Sequence, residues 1–203
     1  MEKTETVFIL DRSGSMGGLE SDTIGGYNAL LKQQRQSQGQ VNVTTVLFDD
    51  RYQLLHDRKD IKEVEDLTAK DYYVRGCTAL IDAIGITLNH FISRVDKDTK
   101  VLFVITTDGY ENASREYNAD QVRRMISVQK EKGWEFIFMG ANIDAVKTGT
   151  QLGIDRNENY CHDSQGVSLA YKSLGNAVRS FVTSRRIEDN WNREVKEDYE
   201  SRK

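Results

Sequence analysis

The chain lacks several features that would mark a function class. It carries only two cysteines in 203 residues. Cys77 and Cys161 lie far apart and form no metal-type pair, so a disulfide framework is not expected. Positive charge is not in excess: 28 Lys and Arg against 32 Asp and Glu leave a net charge of −4. This argues against the basic face on which electrostatic binding to nucleic acid or an anionic membrane rests. No apolar stretch approaches the ~20 residues of a membrane-spanning helix. The amino terminus leads straight into Thr6-Val7-Phe8-Ile9-Leu10, too short and too acid-flanked for a signal peptide. A cytoplasmic protein is therefore expected. His56, His90 and His162 are scattered singly without ligand spacing, and Cys161-His162 lacks the second half of a zinc site. No Gly-x-x-x-x-Gly-Lys phosphate loop is present. Proline is absent altogether, an unusual feature to which no function attaches.

Three short, wholly apolar runs stand out instead: Val7 to Leu10, Val101 to Ile105, and Phe136 to Met139. Runs of this length, separated by helical patterns, predict strands buried on both faces of a parallel sheet. Val41 to Phe48 predicts a fourth strand. It enters the turn Asp49-Asp50 and a shorter strand, Arg51 to His56, so this pair reads as a hairpin with one antiparallel strand at the sheet edge. A weaker last strand is expected at Asn159 to His162.

Helical periodicity marks Thr23 to Gln38, Thr78 to Val95, Ala119 to Lys132 and Ile143 to Leu152. A long last helix is expected from Gln165 to Arg185, capped by Asp163-Ser164. Strands and helices in alternation predict an α/β fold: a doubly wound, mostly parallel central sheet with helices on both faces. Residues 1–185 form this domain. Residues 186–203 form a charged helical extension in which Ile187, Trp191, Val195 and Tyr199 recur every fourth residue, a stripe expected to pack back on the domain.

The chemistry concentrates where strands should end. Phe8-Ile9-Leu10 closes on Asp11-Arg12-Ser13-Gly14-Ser15, and Val104-Ile105-Thr106-Thr107 closes on Asp108-Gly109. Gly76-Cys77-Thr78 precedes a helix. In open parallel sheets ligands bind beyond the carboxyl ends of the strands, so Asp11 and Asp108 are expected in one crevice. Asp11, Ser13, Ser15, Thr78 and Asp108 are hard oxygen donors that suit a small divalent cation retaining several waters. Taken alone, each piece has a plainer reading. Asp-Arg-Ser-Gly-Ser is a strand-to-turn junction, Thr78 a helix N-cap, and Asp108-Gly109 a turn. Their occurrence together and in order favours the metal site. Asp49 and Asp50 read as a solvated hairpin turn and Asp82 as a local cap. Glu111 and Asn112 read as solvent-facing loop residues.

This Asp-x-Ser-x-Ser, Thr, Asp set resembles the metal-ion-dependent adhesion site of von Willebrand factor type A domains, as in integrin I domains. Stretches such as Gly133-Trp134-Glu135-Phe136-Ile137-Phe138-Met139-Gly140-Ala141-Asn142 resemble the small stand-alone type A proteins of bacteria and phages, which are similar to those of tellurium-resistance gene sets. The resemblance implies that Ser13, Ser15 and Thr78 bind the cation through hydroxyls. It implies that Asp11 and Asp108 act mainly through bound waters. A cation held by neutral groups keeps an open, electrophilic position that a partner protein's Asp or Glu carboxylate can fill. Magnesium is the expected occupant; manganese should substitute, and calcium, being larger, should fit less well. Cys77 stands where many relatives have glycine.

The implied function is a metal-dependent protein-interaction module with no catalytic residues. One alternative is a magnesium-dependent phosphohydrolase. Phosphatases of the haloacid dehalogenase type need a second acid where Ser13 stands, and no general base or phosphate-anchoring lysine is evident. The other alternative is a scaffold subunit with a purely structural metal.

Overall fold

A computed structural model describes residues 3–36 and 39–203. Six strands form one sheet in the order β3-β2-β1-β4-β5-β6. These are β1 (Lys3–Asp11), β2 (Gln40–Phe48), β3 (Tyr52–Asp60), β4 (Lys100–Thr107), β5 (Glu135–Gly140) and β6 (Arg156–Asn159). All neighbours are parallel except β2 and β3, which pair antiparallel at one edge. The expected architecture is thus observed. Strand order reverses between β2 and β4, on either side of β1, and the crevice at such a point is where open α/β sheets bind ligands.

The apolar runs become central strands because both of their faces are covered. Along β1, Phe8 and Leu10 join one core while Val7 and Ile9 join the other. The first core packs under α1 (Glu20–Gln34) and α5 (Ser164–Ser184); the second packs under α2 (Leu80–Ile92), α3 (Ala119–Glu131) and α4 (Ala145–Gln151). Period-two alternation therefore divides one continuous apolar run between two helical layers. Local chemistry sets the helix ends. Asn118 and Gln121 form a reciprocal capping box at the start of α3, satisfying two backbone donors that the helix leaves unpaired. Asp163 accepts from the Gly166 N–H at 2.8 Å and caps α5.

Several elements differ from expectation. β3 runs from Tyr52 to Asp60, as long as β2 and not the shorter strand Arg51 to His56. The first helix starts at Glu20, before Thr23, and its expected end at Gln38 lies outside the described residues. The second helix begins at Leu80, with Ala79 as its N-cap, so Thr78 is left in the preceding loop. The last strand is Arg156–Asn159, not Asn159 to His162. It is a short polar edge strand with no apolar signal, and the following residues turn back toward β1.

The carboxy-terminal segment packs on the first core through Ile187, Trp191 and Val195. Only its second half is helical, as α6 (Arg193–Ser201), so Ile187 and Trp191 reach the core from turns. Ending the chain after Arg185 would expose apolar surface on α5, and full burial of such a side chain is worth about 1.5–3 kcal/mol. A chain so truncated is expected to unfold at clearly lower urea concentration, measured by circular dichroism.

Candidate metal centre

The loop after β1 is shaped by its own acid. Asp11 Oδ1 accepts from the Ser13 N–H at 2.7 Å, an Asx turn that folds the chain back over the strand end. A short 3-10 helix, Gly14–Met16, follows, and the Gly14 N–H donates to Gly76 O at 3.2 Å. That bond fastens the first loop to the one carrying Thr78. The third loop is tied in by Asn112, whose Oδ1 accepts from the Thr78 N–H at 2.9 Å while its own N–H donates to Thr78 O at 3.0 Å. Glu111 Oε2 accepts from Ile81 N at 2.8 Å, serving the amino end of α2. Asp82 accepts from the N–H groups of Arg115, Glu116 and Tyr117. These three side chains therefore staple the Asp108 loop to α2. Glu111 and Asn112 are exposed loop residues, as their sequence position suggests, yet both also bond across loops; Asp82 is not the local cap expected.

The structure brings all five predicted residues together. Thr78 Oγ1 donates to Ser13 Oγ at 2.9 Å, Ser13 Oγ lies 3.0 Å from Ser15 Oγ, and Ser15 Oγ donates to Asp108 Oδ1 at 2.6 Å. Thr78 does not cap α2; its hydroxyl faces Ser13. Asp11 lies beneath this chain, its Oδ2 accepting from Thr107 Oγ1 at 2.5 Å. Asp11, Ser13, Thr78 and Asp108 are buried, whereas Gly14 and Ser15 are exposed, so the crevice opens on one side. Thr107 escapes sequence reading because, beside Thr106 at the end of β4, it reads as an ordinary strand residue. His162 escapes because it stands alone in sequence, yet its Nε2 is 2.6 Å from Asp108 Oδ2.

Two acids so placed resist ionisation. Burial pushes Asp11 up to about 6, against the hydrogen bonds from Thr107 and Ser13 that pull it down, and the charge of Asp108 adds to the rise. Asp108 is also raised, first by burial, with Ser15 and His162 opposing. A nearby cation would offset both effects.

Asp49 behaves differently from the solvated turn residue expected. It is fully buried and pairs with Arg12 Nε at 3.0 Å and Arg75 Nε at 2.6 Å. Burial pushes its carboxyl up, but the Arg75 bond, the Arg51 N–H and the Arg12 charge outweigh it and hold Asp49 below the ordinary carboxylate value. Arg12, also fully buried, reaches Gln53 Oε1 at 2.7 Å. This pair clamps the back of the Ser13 loop to the β2–β3 hairpin. Breaking a buried ion pair costs about 3–5 kcal/mol, so Arg12→Ala is expected to lower unfolding free energy by about that much in urea titration.

No protein-family model and no curated protein sequence matches the chain. Solved structures do. The manganese-loaded Plasmodium vivax TRAP protein superposes with a TM-score of 0.62 at 18% identity, over 86% of this chain and 73% of that one. Proximal thread matrix protein 1 from the mussel byssus, with a zinc-occupied MIDAS motif, gives 0.63 at 14% identity over 86% of this chain and 45% of that one. The ArnB paralog VWA2 from Sulfolobus acidocaldarius gives 0.60 at 19% identity over 87% and 45%. The fold is that of a von Willebrand factor type A domain. The chain spans less than half the length of the latter two proteins.

Within this type A fold, the donor set can be tested against a small cation. Among the described residues no group of three or more His, Cys, Asp and Glu is placed to hold a metal, so any cation here depends on hydroxyls. The hydroxyl separations of 2.9 and 3.0 Å are hydrogen-bond lengths. They also match the ~3.0 Å edge of an oxygen octahedron with ~2.1 Å metal–oxygen bonds. Gly109 supplies the sharper observation. A Cβ there would lie 2.7 Å from Thr78 Oγ1, 2.9 Å from Ser15 Oγ and 3.6 Å from Ser13 Oγ. Three hydroxyls thus converge on a spot kept open by a missing side chain. The residues fit a small divalent ion.

Proposed function

We propose that this chain is a divalent-cation-dependent protein-interaction module in which Ser13, Ser15 and Thr78 hold the cation and Asp11 and Asp108 support it, mainly through water. The observation that carries the reading is the three-hydroxyl cradle beside Gly109, at the carboxyl ends of β1 and β4. Neighbours of the same fold hold manganese or zinc, which supports a divalent ion here. Magnesium is our choice of occupant because the donors are all hard oxygens and the hydroxyl spacing suits a small ion. When bound, the ion supplies a Lewis-acidic position for an Asp or Glu carboxylate of a partner protein. The chain's residues supply the rest: neutral hydroxyls leave the ion's charge largely unspent, and exposed Ser15 marks the open side.

The module is proposed to have no turnover of its own. Ser13 stands where a phosphatase of the haloacid dehalogenase type needs an acid. The imidazole beside the crevice is turned to Asp108 rather than to open space. We propose neither nucleic acid nor an anionic membrane as partner, because a net charge of −4 gives no excess of positive charge for either; among the described residues no helix is long and apolar enough to cross a bilayer. A cytoplasmic setting agrees with two free thiols.

The test is titration with acetate, a minimal carboxylate, followed by amide chemical shifts. With magnesium present, shifts are expected at Ser13, Ser15, Thr78 and Gly109, and none without it. Equal shifts in both conditions, or none in either, would contradict the proposal.

A further inference from the structure

The histidine left unassigned by spacing stands against the site. His162 Nε2 lies 2.6 Å from Asp108 Oδ2 and 3.2 Å from Ser15 O. The other carboxylate oxygen, Oδ1, accepts from Ser15 Oγ. Asp108 is therefore shared, one oxygen committed to the hydroxyl cradle and the other to the imidazole.

The His162 loop is built rather than draped. Tyr160 N–H donates to Gly140 O at 2.9 Å, which anchors the loop at the end of β5. On its other side Asp163 caps α5 and pairs with Arg202 of the carboxy-terminal segment. Gly166, in the first turn of α5, passes so close to Cys161 that a Cβ would fall 2.0 Å from the Cys161 carbonyl oxygen. The imidazole is 23% exposed and held from both ends of its loop.

We propose that His162 is a positioning residue of the metal centre: it competes with the cation for Asp108, leaving more of the cation's charge for an outside carboxylate. The inference rests on the metal reading above. Its physical basis is that an N–H bonded to a carboxylate oxygen draws on the same negative charge that a cation would use. Without the imidazole, Asp108 is freer to turn toward the cation and offset it. Two affinities then move in opposite directions. The cation is held more tightly, and its hold on an outside carboxylate weakens.

The experiment is manganese titration followed by electron paramagnetic resonance, on wild type, His162→Ala and His162→Gln, with acetate binding measured on each manganese-loaded protein. Loss of a group that bonds a metal ligand ordinarily weakens metal affinity by about 10–100-fold; a group that competes with the cation for the ligand reverses that sign. His162→Ala is expected to bind manganese about 10-fold more tightly and acetate more weakly. His162→Gln, which retains an N–H donor, is expected to stay near wild type in both. Looser manganese binding by His162→Ala would overturn the inference by making the imidazole a direct support of the ion. Unchanged binding in both variants would overturn it by removing His162 from the centre. No manganese binding by wild type is a separate outcome that removes the metal reading itself, and this inference with it.

Discussion

Replacing Gly109 with alanine is expected to abolish cation binding while leaving the domain folded. Gly109 does not adopt a positive φ, so alanine meets no backbone penalty of the left-handed kind. The added methyl instead lands among the donors, 2.7 Å from Thr78 Oγ1 and 2.9 Å from Ser15 Oγ. Those contacts are too short, and the hydroxyls must rotate or shift away from the point on which they converge. The rest of the fold stands on two apolar cores in which Gly109 has no part. Calorimetric titration with magnesium or manganese should show about a hundredfold loss of affinity or more, with the unfolding free energy from urea titration lowered by no more than ~1–3 kcal/mol, the usual cost of an added methyl in a packed site. Near-wild-type affinity in Gly109→Ala would place any bound cation somewhere else.

Asp11→Asn is expected to separate stability from binding. Asp11 ionises at about 6 in the folded chain against an ordinary value of 3.8. Because the folded value is the higher, the folded state binds more protons between the two, and stability falls as pH rises through this window. The contribution is fully present below pH 4 and lost above pH 6. The difference between 3.8 and about 6 corresponds to about 3 kcal/mol. An amide carries no charge, and its oxygen can still accept from Ser13 N while its NH2 meets Thr107 Oγ1. In the absence of divalent ions, Asp11→Asn should therefore be about 2–3 kcal/mol more stable than wild type at pH 7.5, with a flatter profile between pH 4 and 6. Magnesium should then stabilise wild type and not the variant. Urea denaturation across pH, with chelator or with magnesium, measures both effects. A variant less stable than wild type above pH 6, or one that magnesium still stabilises, would contradict this account of Asp11.

How much of this was legible in the sequence depended on whether the cause was local. Val7 to Leu10 and Phe136 to Met139 announce central strands because burial on both faces demands apolar residues at every position. Asp11, Ser13 and Ser15 are likewise readable because one short loop carries all three. Thr78 and Asp108 follow from their places before a helix and after a strand. What escaped depends on partners distant in sequence. Asp49 looks like a turn acid until Arg12, 37 residues earlier, is seen to neutralise it. His162 has no ligand spacing at all, and its link to Asp108 spans 54 residues. The strand Arg156–Asn159 is hidden by its composition, Arg-Asn-Glu-Asn at a sheet edge, where one row of hydrogen bonds to β5 replaces the usual apolar signal. Ile187 and Trp191 fall on a four-residue spacing, yet turns bring them to the core and the helix begins only at Arg193.

The most direct measurement is the number and affinity of manganese ions bound by the wild-type chain, read from the free-ion electron paramagnetic resonance signal. One ion per chain is predicted, displaced by magnesium and lost in both Gly109→Ala and Asp11→Asn. No saturable binding by wild type, or the same binding in all three proteins, would contradict a cation site in the crevice between β1 and β4.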